Sequence, residues 1–218
     1  MNRRTLLAVG GAGLGVATAG CLGGPVGDIV DGEPEPLEQC DRIEIAYDSL
    51  PNEVQTEVDV ALDEGAYETD RLLFAEAIDP ERSFVVVDDT PYKPTVERDD
   101  TSEQLTLTDV DTPRLPSPRT VSVYNGDDRE HELTIELVDD EPLVSETRTI
   151  APDDHESIET TDRFGSYTLS IDSPTDPAIS AEEMYVVDEY HFGAIIERRA
   201  EAIAFMQEVA EIAPCPWE

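Results

Sequence analysis

The chain has 218 residues, and its 51 Asp and Glu outnumber 14 Lys and Arg, which gives a net charge of −37 at pH 7. We do not expect the protein to bind nucleic acid, because the sequence has no basic patch to displace counterions from phosphate. Hydrophobic residues make up 39% of the chain and fall in periodic runs. That content favours folded modules with cores over a disordered acidic polymer.

The N-terminus has the layout of an export signal. Arg3 and Arg4 precede an apolar, glycine-rich segment over residues 6–19. This segment is shorter than the roughly 20 residues that a membrane-spanning helix needs. It ends in small residues followed by a cysteine, Thr18-Ala19-Gly20-Cys21. We therefore expect a signal over 1–20, cleavage before Cys21, and a lipid attached to the Cys21 thiol.

Arg3-Arg4 followed by Leu6-Leu7 resembles the twin-arginine export signal, which carries folded proteins. Asn2 precedes the arginines and Leu6-Leu7-Ala8 replaces the usual Phe-Leu-Lys, so export by the general route stays open. In either case the expected location is the extracellular face of the cytoplasmic membrane, with the membrane contacted through lipid on Cys21. One acyl chain binds membranes only marginally, so we expect two lipid chains.

The acidic residues are dispersed along the chain. Pairs of acids recur where turns are expected, at Asp88-Asp89, Asp99-Asp100, Asp127-Asp128, Asp139-Asp140 and Asp153-Asp154. Lys93 is the single lysine. This composition resembles that of proteins from extreme halophiles, with an acidic disordered chain or a cation-binding surface as the alternatives. In molar salt the Debye length is about 3 Å, so charge repulsion is largely screened.

Two cysteines remain beyond Cys21, namely Cys40 and Cys215. An even number of cysteines in an exported chain predicts a disulfide between them. The entropic model gives such a long loop roughly 4–5 kcal/mol of stabilisation. Two unpaired thiols are the alternative.

Residues 21–39 are expected to form the lipidated cysteine and a flexible tether, because residues 22–39 are rich in Gly, Pro and Glu. Fully extended, eighteen residues reach on the order of 60 Å. As a random coil their ends lie roughly 25 Å apart. The tether would hold a globular body away from the membrane surface.

Residues 40–111 predict a small α+β module. Strands are expected at 43–47, 83–87, 92–97 and 105–110. A helix is predicted after Ser49 as cap and Pro51 in the first turn, ending at Gly65, and a shorter helix over 69–78. This region resembles a module of uncharacterised secreted proteins of haloarchaea. The residues that carry the resemblance are 47–51, 61–67 and Tyr92. That resemblance implies no catalytic residues.

Residues 112–119 are proline-rich and are expected to be an extended linker. Residues 120–218 then show short alternating runs at 121–123, 133–137, 144–150, 165–171 and 184–187, with a turn signal at Asn125-Gly126. This pattern resembles an immunoglobulin-like antiparallel β-sandwich, although the core cysteine pair and core tryptophan of such domains are absent.

The C-terminal segment 194–213 has apolar residues at helical spacing, so a C-terminal helix is predicted. The alternative is a closing β-hairpin of strands 194–199 and 202–208.

The sequence lacks the residue patterns of several common catalytic and cofactor-binding sites. A blue-copper site needs two His and a Cys, usually with a His and a Met shortly after the Cys. Only Pro216, Trp217 and Glu218 follow Cys215, so no copper site is expected. His131, His155 and His191 are each expected on the surface or in a turn. The chain contains no Gly-x-Ser-x-Gly nucleophile turn and no phosphate-binding loop. We therefore expect no cofactor, no metal and no catalytic residues.

The leading hypothesis is a non-catalytic, lipid-anchored cell-surface protein of a halophile, which presents small modules for binding or envelope structure and has a protein partner in the cell envelope. The alternative is a small extracellular hydrolase with an acidic active site. A cleft with two converging carboxylates of unequal pKa would favour the hydrolase.

Overall fold

The computed structural model describes residues 37–174 and 178–218. The predicted export signal, lipid site and tether up to residue 36 lie outside the described residues. The predicted site residues in that part are Arg3, Arg4, Thr18, Ala19, Gly20 and Cys21. Within the described ranges, no helix is long and apolar enough to cross a membrane.

The N-terminal half forms a five-stranded sheet covered by two helices. Its elements are β1 Glu44–Ala46, a 3-10 turn Tyr47–Ser49, α1 Asn52–Glu64, β2 Tyr67–Thr69, α2 Leu73–Ala77, β3 Phe84–Val87, β4 Thr90–Arg98 and β5 Glu103–Asp109. The strand order is β1-β3-β4-β5-β2. β1 pairs with β3 in parallel and the other pairs are antiparallel. The expected α+β module is present in this half.

Helix α1 buries one apolar face, as its spacing predicts, with Val54, Val58 and Ala61 inaccessible to solvent. It ends at Gly65, which has a φ of 87° that glycine adopts without strain. The predicted Ser49 cap is wrong. The Ser49 hydroxyl donates to the Ala46 carbonyl inside the 3-10 turn, and Pro51 takes the N-cap position.

The second helix is shorter than predicted. The prediction places its start at Thr69, but residues 67–69 form strand β2. Helix α2 covers only Leu73–Ala77. Its start is set by a distant residue, because the buried Glu57 of α1 accepts hydrogen bonds from the N–H groups of Leu73 and Phe74 at 3.0 and 2.7 Å. Local sequence spacing could not reveal this cap.

The C-terminal half forms two four-stranded sheets. Their strands are β6 Thr120–Asn125, β7 His131–Val138, β8 Pro142–Ile150, β9 His155–Glu159, β10 Gly165–Ser173, β11 Ile179–Val187, β12 His191–Arg199 and β13 Ala202–Val209. One sheet has the order β11-β10-β7-β8 and the other β13-β12-β6-β9. Inward-facing residues of both sheets share one apolar core, so this half is a β-sandwich-like structure.

The predicted C-terminal helix is wrong, and the alternative of a closing hairpin is correct. β12 and β13 pair antiparallel, and β12 also pairs in parallel with β6. Along β12 the buried residues alternate at Ala194, Ile196 and Arg198. The same apolar residues fit a helix in isolation, and the exposed edge of β6 decides the strand conformation.

The described part of the chain has two apolar cores, one under α1 and α2 and one inside the sandwich. The sandwich core also includes Ile43 and Phe84 from the first half and Leu115 from the proline-rich segment. Because Leu115 is only 5% exposed and lies in this core, the proline-rich segment is held against both halves at Leu115, while residues 116–118 are exposed. The described residues, 37–174 and 178–218, group as one compact unit.

The predicted disulfide is confirmed: Cys40 is bonded to Cys215 across a sequence separation of 175 residues. Both cysteines are buried in the core under α1 and α2. The bond ties the beginning of the first half to the C-terminal tail. In the entropic model a loop of this length is worth about 5 kcal/mol.

A buried polar network lies at one end of the sandwich, and it corrects the expectation for one histidine. His131 is 1% exposed, and its Nε2 lies 2.8 Å from a carboxylate oxygen of Asp127. The fully buried Arg198 guanidinium lies 3.7 Å from the same oxygen. His131 is therefore a core residue, whereas His155 is exposed, as expected.

We predict that Asp127→Asn removes an acid-sensitive part of the stability. The hydrogen bond from His131, helped by the Asp128 N–H, lowers the pKa of Asp127 to about 2. A carboxylate with a lowered pKa stabilises the fold above its ordinary value near 4 and loses that contribution as the pH falls through about 2. In urea unfolding in molar KCl, the gap between wild type and Asp127→Asn should therefore close between about pH 4 and 2.

The matched control is Asp128→Asn, since the Asp128 side chain is 91% exposed. Its unfolding free energy should stay close to that of the wild type across the same pH range. A constant gap for Asp127→Asn from neutral pH to below 2 would contradict the prediction.

Candidate functional site: the junction groove

Two neighbouring cavities lie where the helical half, the proline-rich segment and the sandwich meet. They have volumes of about 360 and 350 Å³. Both are lined by Arg82, Leu115 and Pro116. The first is completed by Asp41, Ile43, Ser117, Arg119, Glu189, Phe192 and Ile212. The second is completed by Glu81, Phe84, Lys93, Val110, Thr112, Arg114 and Asp162. We call the pair the junction groove.

The distribution of positive charge distinguishes the junction groove from the rest of the described surface. Of the 14 Lys and Arg, all but Arg3 and Arg4 are described, which leaves 12. Eight arginines have a carboxylate oxygen within 4 Å: Arg42, Arg71, Arg98, Arg114, Arg129, Arg148, Arg198 and Arg199. In residues 37–174 and 178–218 the other four, Arg82, Lys93, Arg119 and Arg163, have none.

The four cations without a carboxylate partner lie in or beside the groove. Arg82 lines both cavities, Lys93 lines the second and Arg119 lines the first. Arg163 pairs through its backbone with Arg114, which also lines the second cavity. In a chain with 51 acids, cations left without a carboxylate at one place are a specific feature of that place.

Arg82 and Lys93 are presented by neighbouring backbone. Arg82 is exposed and lies in the turn before β3, where its N–H donates to the Asp79 carbonyl. The Lys93 Nζ donates to the carbonyls of Glu81 and Ser83 and lies 4.7 Å from the centre of the Phe84 ring. Burial lowers the pKa of Lys93. Both side chains keep N–H donors that are free to bind an anion.

Arg119 is held between an aromatic ring and a backbone carbonyl. Its guanidinium lies 4.9 Å from the centre of the Phe192 ring, and one Nη donates to the Asp188 carbonyl at 2.8 Å. The Nε is buried and has no hydrogen-bond partner in the described part of the chain. Burial lowers the pKa of Arg119. A guanidinium with unused donors beside an exposed ring suits an anion that carries an apolar group.

Glu189 fixes the position of the groove walls. It lies between β11 and β12 and is 3% exposed. Its carboxylate accepts from the Arg42 Nε and Nη2 at 3.1 and 2.6 Å, and from the N–H groups of Ile43 and Glu44 at 2.8 and 3.3 Å. These bonds hold the strand β1 side of the first half against the sandwich. They occupy the lone pairs of Glu189.

The hydrolase hypothesis requires two neighbouring carboxylates of unequal pKa in a cleft, and Glu44 and Glu189 are neighbouring carboxylates. Burial raises the pKa of Glu44, and the carboxylates of Glu189 and Asp188 add to the effect. Glu44 does not line either described cavity of the junction groove. Since Glu189 is used to hold the backbone, this pair serves the architecture.

A smaller cavity of about 230 Å³ lies at the β4–β5 hairpin and is lined by Glu68, Glu97, Arg98, Asp99, Ser102 and Gln104. The N–H groups of Thr101 and Ser102 both donate to Asp99 at 2.7 Å and lower its pKa. Asp99 therefore closes the hairpin turn. Within the described ranges, no group of three or more His, Cys, Asp and Glu is placed to hold a metal ion.

The junction groove could not be predicted from the sequence. Its cations come from four separate parts of the chain, and nothing in their spacing brings Arg82, Lys93 and Arg119 together. The scarcity of lysine did single out Lys93, but as a sign of solvent adaptation. The only signal that could have pointed to the groove is the presence of bulky apolar Leu115 within the proline-rich segment.

Comparison with known proteins gives no relative. No family model matches the chain, and no match was found among curated proteins or solved structures.

We predict that Glu189→Gln weakens the junction. The amide would direct two N–H groups at positions now filled by donors, so one or more of the four hydrogen bonds is lost. The unfolding free energy should fall by about 2–3 kcal/mol, less than the 3–5 kcal/mol typical of a fully buried pair because Arg42 is partly solvated. Urea unfolding in molar KCl measures the loss, and hydrogen exchange at the Ile43 and Glu44 amides should accelerate.

The control is Glu197→Gln, which removes a carboxylate from a solvent-exposed pair with Arg199. That change should leave the unfolding free energy close to that of the wild type, because solvent screens an exposed pair. Equal losses for the two variants, or unchanged exchange at Ile43 and Glu44 in Glu189→Gln, would show that Glu189 does not hold the junction.

Proposed function

We propose that the protein is a non-catalytic, lipid-anchored cell-surface protein of a halophile that binds an anionic ligand in the junction groove. The observation that carries the proposal is the gathering of Arg82, Lys93 and Arg119 in one groove without carboxylate partners. Everywhere else in the described chain, arginines other than Arg163 lie near an acid. The four acids that line the groove, Asp41, Glu81, Asp162 and Glu189, are matched by four cations, Arg82, Lys93, Arg114 and Arg119. On this acidic surface the groove is therefore a place without net negative charge where free donors remain for an external anion.

A high-salt environment is part of the proposal. Without the signal the chain carries 12 basic and 51 acidic residues, a net charge of −39, and in dilute solution such repulsion opposes compact folding. Molar salt reduces the Debye length to about 3 Å. A distant field then cannot attract a ligand, so recognition depends on direct charge-assisted hydrogen bonds such as those that Arg82 and Arg119 offer.

Export and anchoring are supported by the signal-like N-terminus and the disulfide. The proposed mature chain begins at a lipid-modified Cys21 and lies at the extracellular face of the cytoplasmic membrane. A stable disulfide between Cys40 and Cys215 suits an oxidising compartment outside the cytoplasm. A protein partner in the cell envelope remains part of this proposal.

We also propose that the β-sandwich is immunoglobulin-like. The proposal is supported by its two four-stranded sheets and by Tyr167, whose hydroxyl donates to the Arg163 carbonyl four residues upstream at 2.8 Å. The tyrosine corner of immunoglobulin-like domains has the same type of hydrogen bond. Such a fold carries many functions and adds none by itself.

We predict that small oxyanions stabilise the protein through the groove. Thermal unfolding is followed in molar KCl with phosphate or sulfate added. At about one hundred times the Kd, a bound ligand contributes about 2.7 kcal/mol, which raises the Tm of a domain of this size by about 5–10 °C. Arg82→Gln should lose at least about half of that rise, because Arg82 lines both cavities.

The control variant is Arg148→Gln, which removes one arginine from the β8 edge, where it pairs with Glu146. Phosphate and sulfate also stabilise folded proteins generally, by exclusion from the surface. That general effect is common to wild type, Arg82→Gln and Arg148→Gln. Equal Tm increases in all three would overturn the binding function of the groove.

We predict that mass spectrometry of the protein from native membranes finds Cys21 as the first residue, carrying a lipid adduct. Cys21→Ser should abolish the adduct and release the protein from the membrane fraction, because a serine hydroxyl does not provide the thiol that takes the lipid. A native protein recovered unprocessed, or processed at another residue without lipid, would contradict anchoring and leave the groove proposal to be judged separately.

A further inference from the structure

We infer that the junction groove binds the anionic headgroup, phosphate or sulfate, of a lipid in the membrane that carries the protein, and so orients the body on that membrane. The inference rests on the proposed function and names its ligand. Three observations support it: the place where the tether meets the body, the exposed aromatic residues at the groove, and the charge of the remaining surface.

The predicted tether joins the body at the groove. Leu37 packs against the core under α1 and α2, and Cys40 follows, bonded to Cys215. Asp41, the next residue, lines the first cavity, and so does Ile212, three residues before Cys215. The disulfide therefore fixes the attachment point of the tether beside the groove. A membrane that holds Cys21 is held within reach of the groove, at most on the order of 60 Å away.

The groove presents one exposed aromatic side chain, Phe192, and Tyr190, two residues earlier in the chain, lies outside the lining of both cavities. Phe192 and Tyr190 are 46% and 38% exposed. Each lies beside an arginine: Arg119 is 4.9 Å from the Phe192 ring centre and Arg42 is 5.8 Å from that of Tyr190. A cation next to an exposed ring matches a lipid headgroup, where an anion lies above the apolar chains.

Charge decides which face can approach the membrane. The chain carries 51 acids, so most orientations bring carboxylates toward an anionic surface. In molar salt this repulsion acts only over about 3 Å. Contact therefore favours the groove, where four acids are matched by four cations and free donors remain. The contacts at Arg82, Lys93 and Arg119 are expected to bind anionic vesicles without the anchor, and the tether strengthens them by keeping the body near the membrane.

The test is flotation of the full chain with vesicles in molar KCl. Cys21→Ser is present throughout, so no lipid is attached. Vesicles of phosphatidylcholine alone are compared with vesicles that also contain phosphatidylglycerol. The protein should partition to the anionic vesicles, and Arg82→Gln with Arg119→Gln should lower the partition coefficient about tenfold, the effect of about 1.4 kcal/mol.

Two control variants keep the result interpretable. Arg148→Gln removes an arginine outside the groove and should leave the partition unchanged. Arg82→Gln alone removes an exposed side chain that contacts no carboxylate among the described residues, so its fold is retained even if the double variant unfolds; it should lower the partition by a smaller factor. The N-terminal segment is common to all variants and cancels from the comparison.

The outcomes separate the source of the anion. Equal partition for groove variants and Arg148→Gln would overturn the lipid inference. If phosphate then still raises the Tm through Arg82, the groove binds a free anion and the proposed function stands. If neither vesicles nor phosphate depend on Arg82, the lipid inference and the binding function fail together.

Discussion

The four hydrogen bonds accepted by the Glu189 carboxylate are the interaction on which the rest of the structure depends. They join Arg42 and the backbone at the start of β1 to the turn between β11 and β12. A buried carboxylate needs such partners to offset the loss of its hydration. By holding the two halves together, Glu189 also forms a wall of the groove. The architecture and the candidate site therefore share one residue.

The division of charge gives the surface its character. Acids without basic partners suit a brine, where their repulsion is screened. Of the twelve cations in the described ranges, eight lie near carboxylates, and three of the other four, Arg82, Lys93 and Arg119, line the junction groove. Arg198 shows the first use, since it is fully buried beside Asp127 and His131. Arg82 shows the second, since it is exposed and lacks a carboxylate partner among the described residues.

The disulfide links the proposed anchoring to the proposed binding. Cys40 and Cys215 join the start of the described chain and the C-terminal tail at a single buried point. Asp41, next to Cys40, and Ile212, three residues before Cys215, line the groove. A groove with this attachment point is confined near the membrane whenever Cys21 carries lipid. In the proposal, confinement raises the effective concentration of headgroups and so strengthens the direct contacts at Arg119 and Lys93 in high salt.

The sequence by itself determined what depends on local order: the α1 face of Val54 and Val58, its end at Gly65, the sandwich strands that contain residues 121–123, 133–137, 144–150 and 165–171, and the pairing of Cys40 with Cys215. Strand β9 was not predicted, and only the end of β11 was. It did not determine features that depend on distant neighbours. The segment from Ala194 onward fits a helix until β6 offers it a strand edge, and α2 begins where Glu57 caps it. The junction groove is decided only by tertiary structure, because Arg82, Lys93 and Arg119 become neighbours when Glu189 and Leu115 pack the two halves together.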